Sequence, residues 1–176
     1  MKINKKVIGL LAGVMLSTVV NAQSYQQPIN DSIHWQGNDK LRFRTSIYTV
    51  HYHPSNEHNN HQKLINAEYI RKNNWLFGLA LFHNSFNQPS QYLYIGKDWR
   101  FWEPYPELYL RATLTAGLLH GYTGKYKNKI PFNKYGIAPA ILPILAIDYK
   151  SVFIEANFFA TAGMMTTIGF TYSLDK

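Results

Sequence analysis

The stretch WLFGLALFHNSFN, residues 75–87, determines how the chain folds. Its odd positions from 75 to 81 are all bulky and apolar, whereas the even positions between them include Gly78 and Ala80. A period of two residues indicates a strand with two different faces. Because the bulky face is the more apolar one, we expect it to meet lipid, with the smaller residues pointing inward. The stretch is therefore predicted to be one strand of a closed barrel, ending in a polar rim at His83–Ser85.

The first 22 residues have the pattern of a signal peptide. Three lysines precede a mostly apolar run over residues 7–20, and Val20-Asn21-Ala22 supplies a small-residue cleavage site. The apolar run is short for a helix that spans a bilayer, so we prefer a cleaved peptide to a retained anchor. We expect export, a periplasmic leader at residues 23–40 and an outer-membrane barrel at residues 41–176.

The composition narrows the class of protein. The chain has 176 residues, no cysteine and a net charge of +8. Thiol chemistry and cysteine metal sites are therefore excluded. The basic residues are scattered and the chain is exported, so nucleic acid is not an expected partner. No mature segment is apolar for long enough to form a spanning helix, which excludes a helical transporter. We expect a monomer of the bacterial outer membrane that uses no cofactor and no metal.

Alternating segments separated by turn residues predict eight strands. They lie at residues 41–53, 63–72, 75–87, 91–102, 108–122, 137–149, 152–159 and 164–174. The prolines of Glu103–Pro106 predict a turn, since they cannot join a ladder. Thr167, Gly169, Tyr172 and Leu174 fit the pattern that the barrel-insertion machinery is expected to read in a final strand. An even strand number with alternating short and long connections predicts an all-β fold, an eight-stranded antiparallel transmembrane β-barrel.

Strand direction and alternation predict what fills the barrel. With the amino terminus in the periplasm, seven charged side chains face inward in the periplasmic half: Arg42, Arg44, Asp98, Arg100, Arg111, Asp148 and Glu155. The outer half is lined by Tyr48, Val50, Ala80, Phe82, Leu119, Ala138, Ala140, Leu142, Gly163 and Met165. One interpretation is a packed plug. The other is an apolar well for one acyl chain. Burying a chain of about a dozen methylenes, at about 0.8 kcal/mol each, would contribute on the order of 10 kcal/mol to binding before any costs.

Two prolines interrupt the predicted sixth strand. Pro139 and Pro143 each remove a ladder hydrogen bond, which lipid cannot replace. They predict either a bulge or a weakened seam through which an acyl chain could enter from the side.

Polar side chains gather where the outward strands end: His51, His53, His83, Asn84, Ser85, His120 and Tyr122. A histidine base beside Ser85 is the minimal equipment for acyl transfer, and the Asn84 amide could donate to an oxyanion. Solvated histidines and a metal-binding loop are the alternatives. By strict alternation His51 faces away from the lumen, unless a bulge turns it. Lys125 and Lys127, in the basic loop, are candidates for holding phosphate.

Several motifs carry a resemblance to a known family: FHNSFN in strand three, Thr115-Ala116-Gly117 in strand five and PAILPILAIDY in strand six. In these motifs the chain resembles the outer-membrane lipid A palmitoyltransferases of the PagP type. The resemblance covers most of residues 41–174. It implies an eight-stranded barrel that moves a palmitoyl chain from a phospholipid to lipid A and measures the chain in an interior well.

The resemblance also implies a surface His, Asp and Ser as the catalytic residues. Ser85 matches the serine, Asn84 stands where the family has aspartate, and the histidine falls on His51 or His53. HYHPSNEHN, NSFNQ, LLHGY and IAPA make the chain similar to a second set, short exported proteins labelled sn-glycerol-3-phosphate transporters.

Three functions follow from these observations. The first is an acyltransferase acting on lipid A, lipopolysaccharide or a phospholipid, with His51 or His53 as base, Ser85 and Asn84 as polar partners, and Tyr48, Phe82, His120 and Tyr122 contacting substrate. The second is a non-enzymatic barrel that binds or passes lipid. The third is an esterase that uses the same residues with water as acceptor.

Overall fold

The barrel predicted from the sequence is the observed architecture. The computed structural model describes residues 38–174; the predicted signal peptide and residues 23–37 of the predicted leader lie outside these bounds. Eight antiparallel strands close into a barrel in sequential order. They are β1 Lys40–His51, β2 Leu64–Ile70, β3 Trp75–His83, β4 Pro89–Tyr105, β5 Leu108–His120, β6 Ile137–Tyr149, β7 Val152–Phe159 and β8 Gly163–Ser173. A 3₁₀ helix, Gly124–Lys129, lies between β5 and β6. Over residues 38–174, no helix is long and apolar enough to cross a membrane.

The two ends of the barrel differ in the length of their connections. At one end, which we call the loop end, the strands are joined by residues 52–63, 84–88, 121–136 and 160–162. At the other, the turn end, they are joined by residues 71–74, 106–107 and 150–151. The polar side chains that could take part in a reaction lie at the loop end, where the longer connections can shape a site.

The turn predicted at Glu103–Pro106 lies further along the chain. Strand β4 continues through Pro104 to Tyr105, and the turn is made by residues 106–107, with Glu107 at a positive φ of 66°. Strand β3 begins at Trp75, which pairs with Lys97, so β4 beyond this point has β5 as its paired neighbour. An edge segment tolerates a proline, because the missing donor faces no partner strand.

The outer surface of the barrel is apolar. Phe77, Leu79 and Leu81 of β3 are each about half exposed, which confirms that the bulky face of the 75–87 stretch points outward. Exposed aromatic residues lie near the turn end at Trp75, Trp99, Trp102, Tyr105, Tyr149 and Tyr172, and near the loop end at Tyr48 and Tyr52. An apolar band between aromatic girdles is the exterior of a transmembrane barrel.

A network of ion pairs fills the half of the interior nearer the turn end. Its members are Arg42, Arg44, Glu68, Asp98, Arg111, Asp148 and Glu155, all buried. Arg42 bridges Glu68 at 3.0 Å and Asp98 at 2.6 Å, and Arg111 bridges Asp148 at 2.9 Å and Glu155 at 2.8 Å. Arg44 joins Glu68 to Glu155. Buried charges need such pairing because desolvation penalises each one alone.

This network agrees with all seven charged positions predicted to face inward, six of which are among the buried members named above. Arg100 is the seventh; its Nε atom lies 3.9 Å from the Asp148 carboxylate, its guanidinium lies 4.2 Å from the centre of the Tyr109 ring, and its side chain is partly exposed. Glu68 is an additional member that the sequence analysis did not assign to either face. The network closes the barrel interior toward the turn end.

A β-bulge in β1 corrects the predicted facing of Tyr48 and Val50. The register between β1 and β8 shifts between Ser46 and Tyr48. Tyr48 and Val50 are therefore exposed on the outside, at 40% and 45%, while Thr49 turns inward. One extra residue in a strand exchanges the two faces beyond it. The same bulge turns His51 toward the lumen, whereas strict alternation along β1 would point it outward.

Candidate active site at the loop end

An apolar cavity of about 420 Å³ occupies the half of the barrel nearer the loop end. Its walls include Leu64, Ala80, Phe82, Leu119, Leu142 and Met165. Arg44 and Tyr94 lie at its floor, where the ion-pair network begins. The volume is in the range of small-ligand pockets. The half of the interior nearer the loop end therefore holds a cavity and not a packed apolar plug, with the charged network below it; that the cavity holds an acyl chain stays a prediction.

His51 and Ser85 form a hydrogen-bonded pair at the top of this cavity. The imidazole Nε2 lies 2.8 Å from the Ser85 hydroxyl, and both residues line the cavity. The Nδ1 atom lies 2.8 Å from the amide oxygen of Asn60. Since an amide oxygen can only accept, the Nδ1 atom carries the proton and Nε2 is left to accept from the serine. The arrangement is that of a serine, a base and an orienting group.

Asn60 is held in place from three directions. Its side-chain amide donates to the hydroxyl of Tyr48 at 3.1 Å, and its backbone carbonyl accepts from the Thr49 N–H at 2.8 Å. The backbone N–H of the preceding residue, Asn59, donates to the carbonyl of Ser85 at 2.7 Å. The β1–β2 connection is therefore tied both to β1 and to the turn that carries the serine. Tyr48, predicted to contact substrate, instead supports Asn60 from outside the cavity.

Asn84 has a structural role in this geometry. It is fully buried, and its side-chain oxygen accepts from the backbone N–H groups of Phe86 at 2.9 Å and Gln88 at 3.1 Å. Its amide donates to the carbonyl of Gly121 and to the side chain of Gln88. Such an Asx turn fixes the backbone around Ser85. The oxyanion role predicted for Asn84 does not fit, because both ends of its side chain are engaged in the loop.

Gln62 contacts the serine from the opposite side to His51. Its side-chain amide donates to the Ser85 hydroxyl at 3.1 Å, and the residue is buried. Tyr122, which was predicted to contact substrate, lines the cavity and is hydrogen-bonded to Ser85. Burial raises the pKa of its hydroxyl, which keeps this group protonated at neutral pH.

Aromatic rings pack against one side of the site. His58 stacks on His51 with ring centres 4.3 Å apart, and Phe86 packs between His58 and Tyr126. Burial lowers the pKa of His58, with the charges of His51 and Lys129 adding to the effect, so its neutral form is favoured. Lys125 bridges Glu57 at 3.1 Å and thereby connects the β5–β6 loop to the β1–β2 loop. The hydrogen bond from Lys125 lowers the pKa of the Glu57 carboxyl.

The barrel wall has a gap beside the cavity. Strand β6 keeps continuous register with β5 along its whole length, so its prolines cause no bulge there. Its ladder with β7, however, runs only from Ile144 to Tyr149. Pro139 and Ile141, above this point, line the cavity and are also exposed on the outside. The seam that the prolines predict is therefore present, between the upper part of β6 and the end of β7.

The remaining predicted residues lie around the site rather than in it. His53 is exposed in the β1–β2 connection, and His120 is exposed at the end of β5. Lys125 is engaged with Glu57, and Lys127 is exposed. Phe82 lines the cavity as predicted. Within residues 38–174, no cluster of three or more His, Asp or Glu side chains could hold a metal ion.

Sequence reasoning missed Asn60, Gln62 and Lys129, which the fold brings to the site. The first two lie in the HYHPSNEHNNHQ segment, where the sequence alone gives no reason to prefer one polar residue over another as a site residue. Lys129 belongs to the basic loop and lines the cavity mouth, 5.7 Å from the centre of the Phe86 ring. No local pattern selects Asn60, because its contact with His51 depends on the bulge in β1.

Comparisons with known proteins add little to this geometry. No protein-family model matches the chain, and no curated protein matches it. Among solved structures, it is similar to the N-terminal β-barrel domain of OprF from Pseudomonas aeruginosa, at 12% identity and a TM-score of 0.39. That match covers 78% of this chain and 98% of that one. So low a similarity supports no argument about function, and none of these findings supports the palmitoyltransferase resemblance in particular.

Proposed function

We propose that this protein is an outer-membrane acyltransferase that moves a fatty acyl chain from a phospholipid to lipid A or to another phospholipid. One observation carries the proposal: the hydrogen-bonded chain Ser85–His51–Asn60 opens onto a dead-ended apolar cavity of about 420 Å³. A serine activated by an oriented imidazole is suited to attack an ester. The cavity supplies an apolar place for the chain of that ester.

The exterior supports the membrane location. Apolar side chains cover the barrel between two levels of aromatic residues, and closed barrels leave no backbone edge unsatisfied in lipid. The gap beside Pro139 and Ile141 gives the cavity an opening toward the lipid side of the wall. A phospholipid could therefore present its chain sideways while its ester stays near Ser85.

Lipid mass spectrometry tests the proposal. The full chain is expressed in a bacterium with an outer membrane, beside a His51→Ala, Ser85→Ala double variant and a control, His53→Ala, Ser151→Ala, in which both altered residues are exposed. We expect one added acyl mass on lipid A or a phospholipid, with the control unchanged and the double variant inactive. An unchanged lipid profile, with the barrel correctly inserted, would overturn the proposal that the protein is an acyltransferase.

A non-enzymatic lipid-binding barrel is the second candidate. The cavity favours it independently of Ser85, since burial of a chain needs no catalytic group. Binding fits better than passage, because the ion-pair network closes the interior toward the turn end. Retained lipid in both the wild type and the double variant, without an acylated product, would favour this candidate. Release of free fatty acid would instead indicate an esterase.

A further inference from the structure

His51, Gln62 and Tyr122 all contact Ser85, and of the three only the His51 imidazole can act as a base at neutral pH. His51 Nε2 accepts the hydroxyl proton at 2.8 Å, whereas the amide of Gln62 donates to the oxygen at 3.1 Å. The amide cannot accept the hydroxyl proton, but it stabilises negative charge on the oxygen it faces. When Ser85 Oγ attacks a carbonyl, negative charge develops on the carbonyl oxygen, which then lies next to Oγ and so near this donor.

We propose that Ser85 carries the acyl chain as a covalent ester and that Gln62 donates a hydrogen bond to the oxyanion that precedes it. This inference rests on the proposed acyl transfer and specifies its course. The oxyanion is bonded to the same carbon that Ser85 Oγ attacks, so a donor within 3.1 Å of Oγ is within reach of it. Gln62 is buried, which strengthens such a bond because water does not compete.

The step balances without a further reactant. The Ser85 oxygen forms a bond to the acyl carbon, and the bond from that carbon to the glycerol oxygen breaks. The Ser85 proton moves to His51 Nε2 and then to the departing glycerol oxygen, which leaves as a lysophospholipid. The acceptor hydroxyl then attacks the Ser85 ester and gives its proton to His51, and Ser85 regains a proton as its oxygen leaves.

The surroundings of Ser85 suit a covalent carrier. The Asx turn of Asn84 and the hydrogen bond from the Asn59 N–H to the Ser85 carbonyl fix the serine backbone. The cavity begins directly beneath the hydroxyl, so an attached chain can remain buried while the lysophospholipid leaves. His58 and Phe86 cover one side of the pair and limit access of water to the ester.

A long-chain alkyl fluorophosphonate tests the inference directly. Attack by Ser85 forms an oxygen–phosphorus bond and expels fluoride, leaving a stable adduct that imitates the oxyanion step. The purified full chain is incubated with this probe in detergent micelles, and the adduct is quantified by intact mass and assigned by peptide mass spectrometry. We expect one adduct on Ser85 and no adduct in Ser85→Ala.

Gln62→Glu isolates the donor, because the carboxylate has nearly the same shape and cannot donate when ionised. We expect its rate of adduct formation to fall by roughly 10²–10³-fold, the usual effect of removing one oxyanion donor. Gln91→Glu makes the same chemical change at an exposed position and should react at the wild-type rate. The heat-dependent mobility of folded barrels on gels confirms that each variant is folded.

The outcomes separate the two proposals. An acylated lipid product without a Ser85 adduct would overturn the covalent carrier and leave the acyltransferase standing. An adduct on Ser85 without any acylated lipid product would support Ser85 as a nucleophile and contradict the proposed acyl transfer. Gln62→Glu reacting as fast as wild type would overturn the donor role of Gln62.

Discussion

At the scale of single residues, the site depends on how one amide is held. Asn60 offers its oxygen to His51 and its amide group to Tyr48, so its side chain has one orientation that satisfies both. An amide is neutral, so it does not stabilise the protonated imidazole by charge as a carboxylate would. Its contribution is therefore to fix the ring and its proton, which is a positioning role.

Replacing Asn60 by alanine should leave His51 free to rotate and to change its protonated nitrogen. We expect the rate of acyl transfer to fall by about 10²-fold, the order of loss that a misplacement of about 1 Å can cause. Initial rates with a phospholipid donor measure this effect. Asn56→Ala, which alters an exposed residue in the same loop, is the matched control. Equal rates for both variants would show that Asn60 does not orient the base.

At the scale of elements, β1 and β6 make the site through two departures from regular pairing. The bulge in β1 brings His51 inward, and the short ladder between β6 and β7 opens the wall beside the cavity. The sequence predicts that β6 is irregular, because prolines remove ladder hydrogen bonds, but it leaves a bulge and a seam as alternatives. It does not predict the first departure, because bulge formation depends on cross-strand pairing that no local pattern encodes. Tyr48 and Val50 were assigned to the wrong face for this reason.

Ile141→Arg should obstruct the gap in the wall. Ile141 is 67% exposed yet lines the cavity, so a long charged side chain there would fill the opening or repel an entering acyl chain. We expect slower transfer from phospholipid in a bilayer, with little change in hydrolysis of a short water-soluble ester. Leu145→Arg makes the same change where β6 is paired with β7. An equal loss in both variants would indicate a general effect on the barrel instead of a blocked entrance.

At the scale of the whole molecule, the barrel is divided into an apolar half and a charged half. The period of two predicts this division well, because alternation assigns inward positions on most strands without reference to tertiary contacts. All seven predicted inward charges take part in the network, with Arg100 partly exposed beside Asp148. Which loop residues meet at the other end could not be predicted, since their positions depend on turns and hydrogen bonds between distant segments.

Arg111→Met tests how much the charged half stabilises the barrel. Arg111 is almost fully buried, is the nearest partner of Asp148 and is one of two arginines that bridge Glu155, so its loss leaves buried carboxylates under-paired. We expect the free energy of unfolding to fall by about 3–5 kcal/mol, as for other buried pairs that lose one member. Urea unfolding in lipid vesicles gives the value. Arg71→Met, at an exposed position in the β2–β3 turn, should change it by less than about 1 kcal/mol.

The closed floor also determines which reporter molecules can be used with this protein. Because the cavity ends at Arg44 and Tyr94 and the proposed chemistry lies at its mouth, a bound chain has its methyl terminus toward the floor. A dye attached to that terminus would meet the floor before the ester reached Ser85. A labelled substrate should therefore carry its dye on the headgroup, and a terminally labelled lipid should serve only as a negative control.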